Sequence, residues 1–155
     1  MITLDPILTF LNFEDTFAIA GVSRSRSKFG RLVFDQLKSK GYKVKAINPN
    51  INQIEDEKVY KNLDEIPESI KRLIIVTPKH QTAELVSHAV KNGFTHIWIQ
   101  QSSETPESIA LCKESGIIHI TGHCIFMIAE PVRDIHFFHR SLKRFFGSFP
   151  KLTLS

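Results

Sequence analysis

The stretch that decides the fold is TFAIAGVSRSRSKFG, residues 16–30. It opens with a short apolar run, as expected of a strand buried on both faces, and this run stops at Gly21. A polar segment rich in serine and arginine follows. Apolar residues then recur at every fourth position, Phe29, Val33 and Leu37, which is the spacing of one helix face. The stretch therefore predicts a strand, a basic turn and a helix, in that order.

The turn between this strand and this helix is strongly basic. Four cationic residues fall within eight positions and have no acidic residue among them: Arg24, Arg26, Lys28 and Arg31. In a parallel sheet such a junction exposes backbone N–H groups at a helix start, where the aligned peptide dipoles favour a bound anion. A ligand that carries phosphate is therefore the expected occupant of this turn.

Strands and helices alternate along the rest of the chain. Four further strands are predicted, at residues 43–47, 73–77, 96–100 and 116–121. This alternation is typical of right-handed βαβ units in a parallel sheet. We predict an α/β chain with a Rossmann-like three-layer fold, a parallel five-stranded sheet in the order 3-2-1-4-5, and an extra C-terminal helix.

The length of 155 residues is that of about one domain. We assign residues 1–126 to the Rossmann-like domain and residues 127–155 to an amphipathic helical tail that packs on the domain or extends it. This tail is basic and rich in phenylalanine, with apolar residues at steps of three and four. Packing on its own sheet, a homodimer contact and an interface with another protein are the alternatives for its apolar face.

Composition excludes several classes of protein. A hydrophobic content of 42% with 23% charged residues is ordinary for a globular chain, and no apolar run approaches the roughly 18 residues that span a bilayer. The N-terminus has no basic residues before its apolar part, so it is not read as a signal peptide, and we expect a cytoplasmic location. A net charge of +4 is modest for nucleic acid or anionic membrane, and neither partner is expected.

Cysteine and histidine spacing gives no sign of a metal site. The two cysteines, Cys112 and Cys124, are too few for a disulfide framework and form no metal-type pair. The histidines show no ligand spacing either, so no metal is expected.

The ligand edge follows from the predicted topology. In such sheets ligands lie beyond the carboxyl ends of the strands, beside the first strand. A dedicated NAD enzyme is disfavoured, because the turn lacks the G-x-G-x-x-G pattern and the second strand ends in Asn48-Pro49 in place of an acidic residue for the ribose diol. The P-loop pattern is absent as well.

Six segments resemble one known family. They are AIAGVSRSRSKFG, AINPN, VYKNLDEIP, LIIVTP, HIWIQQSSET and ITGHC, and together they extend over residues 16–126. Their order and spacing are similar to those of the small CoA-binding proteins related to the nucleotide-binding domain of the succinyl-CoA ligase alpha subunit. The resemblance implies CoA or acyl-CoA as the ligand, and it does not imply catalysis.

The phosphates of CoA suit the basic turn, since backbone amides after Gly21 and the side chains of Arg24, Arg26 or Lys28 could form charge-assisted hydrogen bonds with them. Prolines after strands offer flat apolar surface for an adenine ring or a pantetheine arm. The residues expected to hold CoA are Gly21, Val22, Ser23, Arg24, Ser27, Lys28, Phe29, Gly30, Asn48, Pro49, Thr77, Pro78, Gln81, Gln100, Gln101 and Cys124.

Two alternatives remain open at this point. One is a regulatory protein that senses NAD(P) or another nucleotide and engages a partner through its tail. The other is an enzyme that uses Cys124 on an acyl thioester. Because adjacent residues of an extended strand point to opposite faces, His123 and Cys124 are not expected to form a catalytic dyad, and we assign no catalytic residue.

Overall fold

The computed structural model describes residues 5–129. Its centre is one seven-stranded sheet with the strand order β3-β4-β2-β1-β5-β6-β7. The strands are β1 (Thr16–Ala20), β2 (Lys43–Ile47), β3 (Gln53–Ile54), β4 (Glu57–Tyr60), β5 (Arg72–Ile75), β6 (His96–Ile99) and β7 (Ile118–Ile120). Every neighbouring pair is parallel except β3 and β4, which form an antiparallel hairpin at one edge.

Helices cover both faces of the sheet. They are α1 (Pro6–Thr9), α2 (Phe29–Ser39), α3 (Lys79–Lys91) and α4 (Pro106–Ser115), with short 3-10 turns at Leu63–Glu65 and Ile125–Met127. Successive residues of β1 face opposite layers. Phe17 and Ile19 belong to the core cluster that contains the buried face of α2, whereas Ala18 and Ala20 belong to the cluster under α3 and α4. The prediction that this strand is buried on both faces and lies in a three-layer α/β fold is confirmed.

The predicted number and order of strands were wrong. The segment predicted as the third strand, now β5, pairs with β1, whereas the prediction placed it outside β2. The outer side of β2 is taken by β4, which lies in a polar span of sequence that gave no strand signal. When β4 is counted as the third parallel strand, the six parallel strands follow the order 3-2-1-4-5-6, which is that of a doubly wound dinucleotide-binding sheet.

The predicted helical tail was assigned to residues 127–155, and all of it after residue 129, with the dimer or partner contact suggested for its apolar face, lies outside the described residues. The described chain before that point stays with the core, since Ile125, Phe126 and Ala129 are all buried in the cluster that also holds α2. Within residues 5–129, no helix combines the length and the hydropathy needed to cross a membrane.

Candidate functional site

Two cavities open where the carboxyl ends of the parallel strands meet. The first cavity has a volume of about 360 Å³ and lies over the ends of β1, β2 and β4, beside α3. The second cavity, of about 440 Å³, lies between the start of α2 and the segment that follows β6. Gly21, Thr77 and Pro78 line both cavities, so the two form a continuous crevice on either side of the end of β1.

Two glycines allow α2 to begin directly against the end of β1. Gly21 has a φ of +102°, and a Cβ at this position would lie 2.8 Å from the backbone carbon and oxygen of Val76. A Cβ on Gly30 would lie 2.0 Å from the carbonyl oxygen of Gly21. Neither position has room for a side chain, and the close approach places the helix start at the junction of the two cavities.

Among the residues that the structure describes, no side chain caps the two helices that begin at this crevice. The residues that precede α2 and α3 are Lys28 and Pro78, and neither start is capped by a side-chain hydrogen bond. The start of α4 is different, because Thr105 and Ser108 form a reciprocal capping box there. Both helix starts therefore direct the positive end of their peptide dipoles at the crevice, an arrangement that favours an anionic ligand there.

Two of the four cations of the basic turn are ion-paired, with Asp35 on α2 and with Glu55 of the β3–β4 hairpin. Arg31 is only 3% exposed. Its Nε contacts both carboxylate oxygens of Asp35 at 2.9 and 3.0 Å, and its Nη1 donates to the carbonyl oxygen of Arg24. Glu55, at the tip of the β3–β4 hairpin, accepts from Arg26 at 2.6 Å and from Arg31 at 3.2 Å. The hydrogen bond and charge of Arg26, with a smaller effect of Arg31, lower the pKa of the Glu55 carboxyl.

The other two cations of the turn are not ion-paired within the part of the chain that the structure describes. The side chains of Arg24 and Lys28 make no ion pair within residues 5–129. Lys28 also lines the second cavity. The unpaired charge of the turn is thus smaller than the sequence suggests, and among the described residues it lies on Arg24 and Lys28.

Asn48 connects the ends of two strands. Its Nδ2 donates to the carbonyl oxygen of Val22 at 2.8 Å, and its Oδ1 accepts from the backbone N–H of Asn50 at 2.8 Å. Asn48 therefore fixes the segment after β1 to the segment after β2, and it lines the first cavity from that position. At the next strand end, the buried hydroxyls of Thr77 and Thr82 lie 3.4 Å apart.

The thiol of Cys124 is not exposed to the crevice. Its side chain is fully buried, and this burial raises the pKa of the thiol, an effect that the Phe126 backbone and the Gln100 side chain partly oppose. Gln100 is itself 1% exposed, and its Oε1 accepts from the backbone N–H of Ile125 at 3.0 Å. The arrangement disfavours a reactive thiolate at Cys124.

The structure brings most of the predicted binding residues to the crevice. Twelve of the sixteen line one cavity or both: Gly21, Ser23, Lys28, Phe29, Gly30, Asn48, Pro49, Thr77, Pro78, Gln81, Gln100 and Gln101. The other four line neither cavity. Of these, Val22 and Cys124 are buried, and Arg24 and Ser27 lie exposed on the basic turn. A role in ligand binding stays a prediction for all sixteen.

Sequence reasoning missed part of the first cavity. Lys61 and Asn62 line it from the end of β4, a strand that was not predicted, and Glu84 and His88 line it from α3. The helical residues could have been found, because Gln81, Glu84 and His88 recur at steps of three and four after Pro78 and so share one helix face. Within the part of the chain that the structure describes, no three His, Cys, Asp or Glu side chains are grouped to hold a metal ion.

A family model described as a CoA binding domain matches residues 15–130. Among curated proteins, an ADP-forming acetate–CoA ligase II of Archaeoglobus fulgidus is 28% identical over 104 residues, which are 66% of this chain and 16% of the ligase. An ADP-forming acetate–CoA ligase of Methanocaldococcus jannaschii is 27% identical over 86 residues, which are 56% of this chain and 12% of the ligase. The chain therefore matches only a small part of each ligase.

Some solved structures of similar fold are matched over nearly their whole length. A conserved hypothetical protein of Pyrococcus furiosus is 30% identical with a TM-score of 0.69, and the match covers 72% of this chain and 96% of that one. A hypothetical protein of Pyrococcus horikoshii has a TM-score of 0.70 at 24% identity, over 84% of this chain and 97% of that one. The second likeness supports the fold alone.

Proposed function

Since this chain belongs to the CoA binding domain family, we propose that it binds CoA or an acyl-CoA, with the diphosphate held at the turn between β1 and α2. The observation that carries this proposal is the meeting of two uncapped helix starts at one glycine junction. The starts of α2 and α3 flank Gly21, and beside them stands the side chain of Lys28, which makes no ion pair within residues 5–129. Backbone N–H groups and a cation at one point are suited to a diphosphate.

The two cavities suit the two ends of such a ligand. The first cavity combines apolar surface of Pro49, Leu63 and Leu85 with polar groups, as an adenosine requires. The second cavity extends from the turn past Pro78 to Gln100, in the direction that the pantetheine arm would take. We place the adenosine in the first cavity, the diphosphate over Gly21, and the arm in the second cavity.

Catalysis is not part of this proposal. The chain corresponds to 16% and 12% of the two ligases, so their activity is not transferred to it. Cys124 is fully buried with a raised thiol pKa, which gives no support to a nucleophile at this position. A cytoplasmic location remains an expectation from the sequence.

The alternative of an NAD(P)-sensing regulatory protein is less well supported. In dinucleotide-binding sheets an acidic residue near the end of the second strand holds the ribose diol of NAD. Here that position is Asn48, and both ends of its amide are already hydrogen bonded, to Val22 and to Asn50. A free ribose diol therefore has no carboxylate partner at this strand end.

The experiment is a calorimetric titration with CoA, acetyl-CoA, NAD, NADP and ATP. We expect CoA and acetyl-CoA to bind and NAD to bind at least tenfold more weakly; a preference for NAD would overturn the proposal.

The phosphate contacts are tested by reversing both unpaired cations, in the double variant Arg24→Glu/Lys28→Glu. Its CoA affinity should fall by about tenfold or more, since two charge-assisted hydrogen bonds are lost. Lys45→Glu/Lys113→Glu is the matched control, because it makes the same change in net charge at exposed lysines that line neither cavity. Equal loss of affinity in both double variants would mean that the effect is one of net charge, and would count against the turn.

A further inference from the structure

We propose that Lys61 recognises a phosphate on the ligand's ribose, so that the first cavity selects a phosphorylated ribose over a free ribose diol. This inference rests on the proposed function, because it assigns the ribose 3′-phosphate of CoA to a residue outside the sixteen that were predicted to bind CoA.

The position of Lys61 follows from the sheet register. In the parallel pair of β2 and β4, Ile47 lies opposite Tyr60, and the backbone N–H of Asn48 donates to the Tyr60 carbonyl oxygen at 2.9 Å. Lys61 is the next residue after this pair, so it leaves the sheet beside Asn48 at the same edge. Both residues line the first cavity. Lys61 therefore stands next to the strand end where a dinucleotide-binding sheet recognises the ribose.

The ammonium group of Lys61 has no ion-pair partner within the described residues, although two carboxylates lie in its neighbourhood. Lys61 is exposed, and its side chain makes no ion pair with any residue from 5 to 129. The nearby carboxylate of Glu65 accepts from the backbone N–H of Lys61 at 3.1 Å. The other titratable groups that line the first cavity are Glu84 and His88 on α3. Of the described residues that line the first cavity, Lys61 is thus the lysine or arginine that can meet a ligand phosphate.

The basic turn is less able to hold a third phosphate. Arg26 and Arg31 are already bound to Glu55, and Arg31 also to Asp35. The remaining cations of the turn are Arg24 and Lys28, which the diphosphate would occupy. A ligand with a further phosphate on its ribose therefore needs a cation from another segment, and β4 supplies it at the strand end beside β2.

The experiment compares CoA with dephospho-CoA, which differ only in the ribose 3′-phosphate. Both are titrated into the wild-type chain, into Lys61→Gln and into Lys45→Gln, a control that removes one exposed lysine away from both cavities. We expect the wild type to prefer CoA, and Lys61→Gln to bind CoA about fivefold more weakly, the size of one exposed charge pair. The affinity of Lys61→Gln for dephospho-CoA should stay within about twofold of the wild-type value. Lys45→Gln should bind CoA and dephospho-CoA as the wild type does.

The outcomes separate this inference from the proposed function. If CoA binds and Lys61→Gln weakens CoA and dephospho-CoA equally, or weakens neither, the assignment of Lys61 is wrong while CoA binding stands. If the wild type binds neither compound, NADP and NAD replace them as the probe pair. A preference for NADP that Lys61→Gln abolishes would then retain the ribose-phosphate assignment and overturn the proposed function. Failure of both pairs to bind would overturn both proposals.

Discussion

Replacing Gly30 by alanine is expected to destabilise the chain and weaken CoA binding, although alanine is the better helix former. Gly30 is the second residue of α2, and a Cβ there would lie 2.0 Å from the carbonyl oxygen of Gly21 and 2.8 Å from its carbon. Both atoms belong to the backbone, which cannot avoid the clash by a change of rotamer as a side chain can. Gly21 is also held in place, because its N–H donates to Ile47 and the space beside its Cα is closed by Val76.

The magnitude follows from the displacement that the new methyl group requires. Ordinary contact begins near 3.4 Å, so the start of α2 would have to move away from β1 by about 1.4 Å. Overpacking of this kind costs about 1–3 kcal/mol, and a clash with backbone belongs at the upper end of that range. Alanine recovers up to about 1 kcal/mol of helix propensity over glycine. We therefore expect a net loss of about 1–2 kcal/mol in the free energy of unfolding.

Urea unfolding and calorimetric CoA titration together test this reasoning. The control is Gly116→Ala, at the end of α4, where φ is +72° and no atom lies within 4 Å of an added Cβ. The free energy of unfolding of this control should fall by about 1 kcal/mol, because alanine is strained in the left-handed conformation. Its affinity for CoA should equal that of the wild type. Gly30→Ala should in addition lose CoA affinity, since it moves the helix start that faces the ligand. Wild-type stability together with wild-type affinity in Gly30→Ala would refute the argument.

Two further substitutions test other parts of the structure. Arg31→Ala should lower the free energy of unfolding, measured in urea, by about 2–4 kcal/mol, because a buried guanidinium and its ion pairs are lost. Arg26→Ala removes a side chain that is 78% exposed and should change the free energy of unfolding by less than about 1 kcal/mol. Equal losses in the two variants would contradict the structural role of Arg31. Burial, and to a smaller extent the charge of Arg72, lowers the pKa of His96 from its ordinary value of 6.5. The native state therefore takes up a proton at His96 less readily than the unfolded chain does. The free energy of unfolding should accordingly fall as the pH decreases from 7 through the native pKa of His96. His96→Gln should flatten that pH dependence in urea unfolding between pH 7 and 5, and an unchanged slope would show that another group is responsible.

The first βαβ unit could be predicted from sequence because its signals are local. The apolar run of β1 ends at Gly21, and the apolar spacing of α2 begins at Phe29, so the strand, turn and helix are each encoded within a few residues. The ends of β2 and β5 could also be predicted from a local signal, the proline that follows each strand. Pro78 comes directly before α3, where it opens the helix at the edge of the crevice.

The β3–β4 hairpin could not be predicted because its strands are short and its core contacts few. Ile54 and Val59 are its buried apolar residues, and exposed polar residues surround them. Its pairing with β2 depends on contacts made across the sheet, which no local pattern records. Missing β4 caused the error in strand order, since β5 was then placed on the side of β2 that β4 occupies.

The charge of the basic turn was overestimated for a related reason. Arg26 and Arg31 have no acidic neighbour in the turn itself, but Glu55 reaches both of them from the unpredicted hairpin. Lys61 was overlooked as a cavity residue because it follows the same unpredicted strand. The position of the basic turn could therefore be predicted from local sequence, whereas the ion pairs of Arg26 and Arg31 with Glu55 and the place of Lys61 in the first cavity depend on tertiary pairing.

The central claim is that the diphosphate of CoA lies on the turn between β1 and α2. The most direct measurement is a titration of the ¹⁵N-labelled chain with CoA, followed through the backbone amide resonances. We expect the largest shifts at the amides of residues 21–30 and at the first residues of α3, with smaller shifts around Asn48 and Lys61. Shifts confined to α4 and the opposite edge of the sheet, with the amides of residues 21–30 unmoved at saturation, would contradict the claim.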